Sequence, residues 1–398
     1  MPTAKQPEYR INLRPYRILY FPFLLPIALL LALFNKISPI PFKIYALRVE
    51  RVGQMIGNQE EFYCALELGM LPKEFRVFVH RDIPSNMTVL AMQKRVMPIY
   101  NCFLPLFDVC HKFGGLGVSS MALCKLAGSD RAHLVTKTKQ HVDFSDAEKN
   151  EAQRQCRKIG IDPDAPFIPV LARDNAYLKS IKEPTDLDSY RNVDLDTFIP
   201  AMEFLADKHK VLRMGSVVKN ELKTNHPNIF DYSLSGHRTE LLDIYLSAKC
   251  RFFFSSATGL DAIASLAFRI PVLYVDFIPV NEAPILKPNC IMIPKKYWHK
   301  TEERYLTLSE LLESRMAEMY TPQQLMPHNV VVHDNTPEEI LAAAQEMEAR
   351  LDGTWIETKE DQDRQKQFWS HFKRQSKDNI CTGYIGAKFL EENPYWLK

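Results

Sequence analysis

The sequence predicts an α/β protein made of two Rossmann-like domains behind an apolar, membrane-attached helical segment. Three observations predict it. The 398 residues exceed what a single ordinary core organises. Short apolar runs alternate with amphipathic stretches in two separate regions of the chain. An uncharged apolar run, Ile18 to Phe34, lies near the N-terminus.

Composition narrows the class. Apolar residues make up 46% and charged residues 25%, the balance of a folded chain rather than a disordered one. Lys and Arg number 50 against 48 Asp and Glu, a formal charge of +2. No global basic field exists to hold a nucleic-acid backbone, so nucleic acid is not an expected partner and any anion site must be local. The eight cysteines contain no CxxC pair and mostly sit among apolar neighbours, as Cys64 and Cys124 do. They read as buried reduced thiols, with a disulfide framework the alternative. No zinc-ligand spacing is present, and no metal is expected.

The run ILYFPFLLPIALLLALF is helical in composition, yet Pro22 and Pro26 fall inside it and predict a break or kink. As a helix it would extend about 25 Å, short of a bilayer's hydrocarbon core. No small-x-small cleavage site follows, so a signal peptide is disfavoured. Basic residues flank both ends, Arg14 and Arg17 before it and Lys36 and Lys43 after it, so charge does not choose an orientation. A membrane attachment through residues 18–34 is expected, either in one leaflet or across both. A buried core helix is the bland alternative.

Residues 1–42 form that anchor, and 43–160 the first Rossmann-like domain. It opens with the strand Lys43–Val49, a glycine-bearing turn and a helix over Gln59–Leu68, the first half of a βαβ unit. Phe75–Val79 is a second strand, Asn86–Val96 a helix, and 137–159 a charged helical stretch. Residues 161–355 form the second domain. Its strands are Phe167–Ala172, Lys210–Met214, Lys249–Phe254 and Pro271–Val275. Its helices fall at Asp194–Lys208, Glu240–Ala248, Gly259–Phe268, Thr307–Ser314 and Pro337–Leu351. This alternation predicts a parallel, doubly wound sheet. A polar helix, Lys359–Lys373, and an aromatic tail complete residues 356–398.

Ligands of open α/β sheets bind beyond the carboxyl ends of strands. The loop Ser255-Ser256-Ala-Thr258-Gly259-Leu-Asp follows an apolar strand and opens a helix. Its backbone amides can meet an anion, or its hydroxyls can simply cap the helix. Arg173 and Asp174 end the strand FIPVLA. Arg191, Arg213 and Arg238 lie at or near neighbouring strand ends, with Gly215 closing the strand KVLRM. Together these guanidinium groups predict a clamp for a pyrophosphate, since each holds two phosphate oxygens at once. In the first domain, Arg51, Gly53, Gln54 and Gly57 form the strand-to-helix turn. Asp194-Leu-Asp196 has the spacing of a metal-binding pair, but its position at a helix start marks capping acids.

Several stretches, RVGQMIGNQEE, RDNAYL, YRNVDLDTFIPAMEFLADKHKVLRMGS, the segment YSLSGHRTELLDIYLSAKCRFFFSSATGLDAIASLAFRIPVLYVD and the tail IGAKFLEENPYWL, resemble a family of bacterial surface-polysaccharide glycosyltransferases. More distantly, the Arg-bearing strand end and the Ser-Ser loop are similar to elements of fucosyltransferases. The resemblance implies a two-domain GT-B architecture, with the acceptor handled by the first domain and a nucleotide sugar by the second. The acceptor it implies is a surface polysaccharide or lipid-linked glycan, at the cytoplasmic face of a bacterial inner membrane. Arg173, Asp174, Arg191, Arg213, Ser255, Ser256 and Gly259 would surround the donor. Arg238, Gly215 and Thr258 join them by position. Inverting transfer needs a base. Glu61 and Asp174 are the leading carboxylates, with Glu60, His80, Asp82 and His111 as further candidates. The family often has His where this chain has Gln54, so no base role transfers there. No cofactor or metal is expected, with the arginines stabilising the leaving nucleotide. The rival readings are a GT-B sugar-nucleotide epimerase and a non-catalytic membrane scaffold.

Overall fold

The computed structural model describes residues 17–120, 130, 132–174, 176, 189–218, 220–373 and 383–398. Asn175, Cys124 and Cys381 lie outside the described residues. The first element, α1, runs from Arg17 to Ile37 as one 21-residue helix with Pro22 and Pro26 inside it. The expected break does not occur. Each proline removes a ladder hydrogen bond, but a stripe at helical spacing (Phe21, Leu24, Leu25, Ala28, Leu31, Ala32) packs along the body and holds the helix together.

Three parallel strands follow: β1 (Phe42–Leu47), β2 (Phe75–His80) and β3 (Ser119–Ser120), in the order β2-β1-β3. Side chains of β1 alternate between two cores, as the two-residue strand period demands. Ile44 and Ala46 face α1 and α4 (Leu104–Lys112), while Tyr45 and Leu47 face α2 (Val52–Glu67) and α3 (Met87–Val96). The helix α2 starts seven residues before the expected Gln59, directly after the turn at Arg51.

A second, seven-stranded sheet has the order β13-β9-β8-β7-β4-β5-β6, all parallel. Its strands are β4 (Phe167–Leu171), β5 (Lys210–Arg213), β6 (Ile229–Asp231), β7 (Phe253–Ser255), β8 (Val272–Phe277), β9 (Ile291–Pro294) and β13 (Tyr384–Ile385). Near-continuous apolar runs such as β4's FIPVL are what a sheet buried on both faces requires. The chain places β5 and β6 on one side of β4 and then β7, β8 and β9 on the other. Strand order therefore reverses between β4 and β7. A small antiparallel sheet, β10 (Lys296–His299) flanked by β11 (Arg304–Tyr305) and β12 (Val330–His333), sits after β9.

The boundary expected at residue 160 is not a gap in the packing. Ala152 and Cys156 of α5 (Asp146–Lys158) belong to the second sheet's core. The helix Glu240–Lys249 is buried on both sides: Leu242, Tyr245 and Leu246 join the second sheet's core, while Ile244 and Ala248 join the core of β1, α2 and α3. Ile263, Ala267 and Phe268 do the same, in a π-helical turn over Ile263–Ala267 where an α-helix was expected. The tail is likewise part of the sheet, since Tyr384 and Ile385 pair with β9 as its edge strand. The six cysteines among the described residues that can be assigned, Cys64, Cys102, Cys110, Cys156, Cys250 and Cys290, are free thiols.

At Gly53 and Gly259 the two halves meet backbone on backbone. A β-carbon on Gly53 would sit 2.8 Å from the Gly259 Cα, inside any real contact distance. Gly53→Ala must push the start of α2 off the loop after β7. Its expected cost is about 1–3 kcal/mol, the range for overpacking. Urea unfolding should show a lower midpoint with an unchanged slope. A variant as stable as the parent would mean the contact is loose.

Candidate functional site

The reversal between β4 and β7 is where open α/β sheets bind ligands, and a cleft of about 620 Å³ lies there. Its walls come from both halves: Arg48, Arg51 to Gln54, Ser85 and Asn86 from the first, and the loops after β4, β5 and β7 from the second. Apolar surface from Tyr274, Phe277, Ile285, Leu286 and Met292 completes it. The volume suits a drug- or cofactor-sized molecule, for which pockets run to roughly 300–1,000 Å³.

Charge in the cleft is one-sided. Arg48, Arg51, Arg173, Arg191, Arg238 and Lys287 line it, against Asp174, Asp243 and Asp261 among the described residues. All three of those carboxylates have partners. Asp243 accepts from Arg238 at 2.6 Å and from the Tyr232 hydroxyl at 3.1 Å. Burial pushes its pKa up to about 6, with Arg238 and Tyr232 opposing. Asp261 accepts from the Ser255 hydroxyl and the Thr258 amide, both at 2.6 Å. Burial raises it to about 6 as well, offset by Ser255, Thr258 and Arg191. Asp174, three residues beyond β4, accepts from the Ala176 amide at 2.8 Å.

The loop after β7 is a stapled knot. Asp261 ties Ser255 to Thr258, Ala257 adopts φ 58°, and the Arg191 guanidinium donates to the Ala257 carbonyl at 2.8 Å. The Ser256 hydroxyl accepts from the Arg173 amide at 2.8 Å, which fixes the end of β4 against the loop. These bonds set where Arg173 and Arg191 stand.

Nine of the expected site residues line this cleft: Arg51, Gly53, Gln54, Arg173, Asp174, Arg191, Gly215, Arg238 and Gly259. Thr258 lines it too, though its amide is taken by Asp261. Five do not. Arg213 is buried and pairs with Asp231 at 2.9 Å, its register partner on β6, so its side chain serves the sheet. Ser255 and Ser256 are buried, and their hydroxyls hold the loop. Gly57 and Glu61 are buried inside α2. Because α2 starts early, Glu61 lies about 10 Å along the axis from Gln54, away from the cleft.

Nor do the other expected bases line it. His80 meets Asn101 at 3.1 Å. The Asp82 carboxyl is raised from its usual value, first by burial and then by a hydrogen bond with Glu50. Arg48, Asp243, Asp261 and Lys287 were not expected. Arg48 follows the strand KIYAL just as Arg173 follows FIPVLA, so the same reasoning finds it. Lys287 and its ion-pair partner Asp130, 2.8 Å away, carry no local pattern.

Away from the cleft, Glu60, Cys64 and His141 cluster within 4.8 Å, a spacing that suits a metal ion. The Arg269 guanidinium already donates to Glu60 at 2.7 Å and to Cys64 at 3.7 Å, supplying the positive charge there. The Asp194–Asp196 pair is likewise engaged: Asp194 accepts from the Asp196 amide, and Asp196 pairs with Lys223.

Comparison with known proteins gives matches among solved structures alone. No protein-family model matches the chain, and no curated protein does. Among solved structures, the chain is similar to two glycosyltransferases. One is the glycosyl transferase family 9 structure from Veillonella parvula: TM-score 0.46, 8% identity, 78% of this chain and 98% of that one. The other is the E. coli ADP-heptose LPS heptosyltransferase II: TM-score 0.39, 14% identity, 78% of this chain and 100% of that one. Overlaps this loose carry no function across, and the functional reading rests on the cleft.

His141 yields a pH prediction. It bridges Glu60 at 3.0 Å and Glu67 at 2.9 Å. Burial alone would lower its pKa, but hydrogen bonds to Cys64 and Glu60 and the charge of Glu60 outweigh it and raise it to about 10. The folded value exceeds the unfolded one, about 6.5. Its stabilisation is therefore complete below pH 6.5 and lost as pH rises towards 10. The melting-temperature difference between the parent and His141→Gln should be constant below pH 6.5 and shrink above it. A difference that grows with pH would contradict the imidazolium bridge.

Proposed function

We propose that the chain is a membrane-associated glycosyltransferase of GT-B type, which moves a sugar from a nucleotide donor to a glycan acceptor. The observation that carries this reading is the cluster of six cations around a cleft at the strand-order reversal. A nucleoside diphosphate joins a polyanion to a flat apolar base, and the cleft offers guanidinium groups beside apolar surface. An open, arginine-lined cleft disfavours the scaffold reading.

In this reading Arg173, Arg191 and Arg238 grip the diphosphate, while Thr258, Gly259 and Gly215 let it approach the strand ends. Arg51, Gly53 and Gln54 face the acceptor. Asp174 takes the proton from the acceptor hydroxyl as that oxygen attacks the anomeric carbon. The bond from that carbon to the diphosphate oxygen breaks, and the nucleoside diphosphate leaves with the electron pair. The guanidinium groups stabilise its developing charge, so the reaction proceeds without a metal. The halves act as acceptor-side and donor-side domains. The acceptor is a surface-polysaccharide or lipid-linked glycan, and α1 attaches the enzyme to the cytoplasmic face of a bacterial inner membrane, where nucleotide sugars are available.

Thermal stabilisation tests the donor site. A panel of nucleoside diphosphates and nucleotide sugars should contain one compound that raises the melting temperature. Ligand at one hundred times its dissociation constant contributes about 2.7 kcal/mol. Arg191→Ala should abolish the shift. Arg213→Ala should keep it while lowering the unliganded melting temperature, by removing the ion pair with Asp231 at a cost of about 1–3 kcal/mol. No shift with any nucleotide would return the scaffold reading to the front.

The base is tested separately. With the donor so identified, Asp174→Asn should retain the thermal shift and lose about 10²–10⁴-fold in transfer of labelled sugar to a membrane lipid extract. Undiminished transfer would remove Asp174 from that role. Release of free sugar without an acceptor would favour the epimerase.

A further inference from the structure

Membrane attachment alone leaves open whether α1 crosses the bilayer or lies on it. The geometry points to a helix that lies in the plane of one leaflet, with its outer face in the lipid and its inner face fixed to the protein. This inference rests on the membrane reading of α1 and goes beyond it.

The helix has two apolar faces with different neighbours. The inner stripe, from Phe21 through Ala28 to Ala32, packs on α4 and the outer side of the first sheet. The outer stripe is solvent-exposed: Phe23 is 74% exposed, Leu30 67% and Ile37 77%. Both ends are pinned. Near the start, Phe21 meets Phe113 with centroids 5.7 Å apart, and the Lys112 ammonium sits 4.9 Å from the Phe21 ring. Near the end, the Asn35 amide donates to the Phe42 carbonyl at 2.7 Å and to the Gly117 carbonyl at 2.9 Å, and accepts from the Phe42 amide. The body thus runs beside α1 over about 20 Å of axis, fourteen residues at 1.5 Å each.

A transmembrane placement conflicts with that contact. If α1 crossed the hydrocarbon while docked, α4 would cross with it, carrying the Arg81–Asp108 ion pair, His111 and Lys112 into lipid. Lying flat, the same helix buries only its outer stripe, to the depth of about 5–10 Å at which interfacial helices sit. The charge pattern fits an anionic surface. The helix carries no Asp or Glu, and exposed Lys36 and Lys112 flank the outer stripe. Phe113, 46% exposed, extends the apolar face next to Lys112.

Depth-dependent fluorescence quenching on the full-length protein tests this. Phe23, Ile27 and Phe34 share the outer stripe, and each is replaced in turn by Trp. Vesicles of phosphatidylglycerol and phosphatidylcholine carry bromine at shallow or deep acyl positions. The excess fluorescence over the parent protein should be quenched at all three positions, most strongly by the shallow bromine and to similar extents. A spanning helix would instead place Ile27→Trp nearest the deep bromine, with Phe34→Trp about 10 Å along the axis towards one surface. That profile would overturn the in-plane placement and leave membrane attachment standing. No quenching, with no flotation on vesicles, would overturn both. So would self-association through this face in the absence of lipid-dependent quenching. As a second variant, Leu30→Asp should fold, judged by its melting curve, and reduce the vesicle-bound fraction at least about tenfold, the equivalent of roughly 1.4 kcal/mol. Undiminished binding by a folded Leu30→Asp would show that the outer stripe does not enter lipid.

Discussion

Everything at the cleft depends on two glycines that let two backbones touch. With Gly53 opening α2 and Gly259 closing the loop after β7, the ends of both sheets come within reach of one ligand. Any side chain at either position would widen the gap. The apolar packing behind that contact makes it permanent, because the helix Glu240–Lys249 and the π-helical turn are shared between two cores. A hinge between loosely joined halves would instead show a polar, sparsely packed seam.

The second constraint is the burial of Asp261. A carboxylate without solvent must be hydrogen-bonded or become protonated. Asp261 meets that demand with Ser255 and Thr258, which turns a loop of small hydroxyl residues into a fixed frame. The backbone of that frame helps to position Arg191, which donates to the Ala257 carbonyl, and Arg173, whose amide donates to Ser256. The serines matter to the site by holding it, one step removed from a ligand.

Much of this was legible in the sequence because strand ends in a doubly wound sheet are places as well as residues. The runs FIPVLA and KCRFFF, with the polar residues after them, marked strand ends and so singled out Arg173, Asp174, Arg191 and Gly259, although the strand order that makes β4 and β7 neighbours was not in the sequence. What failed was register and depth. Arg213 sits at the same kind of strand end, but strand pairing sets it opposite Asp231, and no local pattern reveals a partner eighteen residues on. Glu61 was expected in the first turn of a helix starting at Gln59, but the helix starts at Val52 and buries it further along. The strand at Tyr384–Ile385 is two residues long and too short to show any alternation. The prolines of α1 argued for a break that long-range packing overrode.

The Arg269–Glu60 contact joins residues 209 positions apart, and the core behind it is built from equally distant pieces. Contacts of that range are slow to form, since a long loop must close before they reward it. A ribosome adding about 5–20 residues per second leaves α2 waiting roughly 10–40 s for its partners to be made. During that time the parts of this core that Ile244, Ala248, Ile263 and Ala267 complete stay uncovered, while α1 and its exposed apolar stripe have already emerged. Early capture of the nascent chain at a surface would then shape how the molecule folds, well before it could shape what the molecule binds.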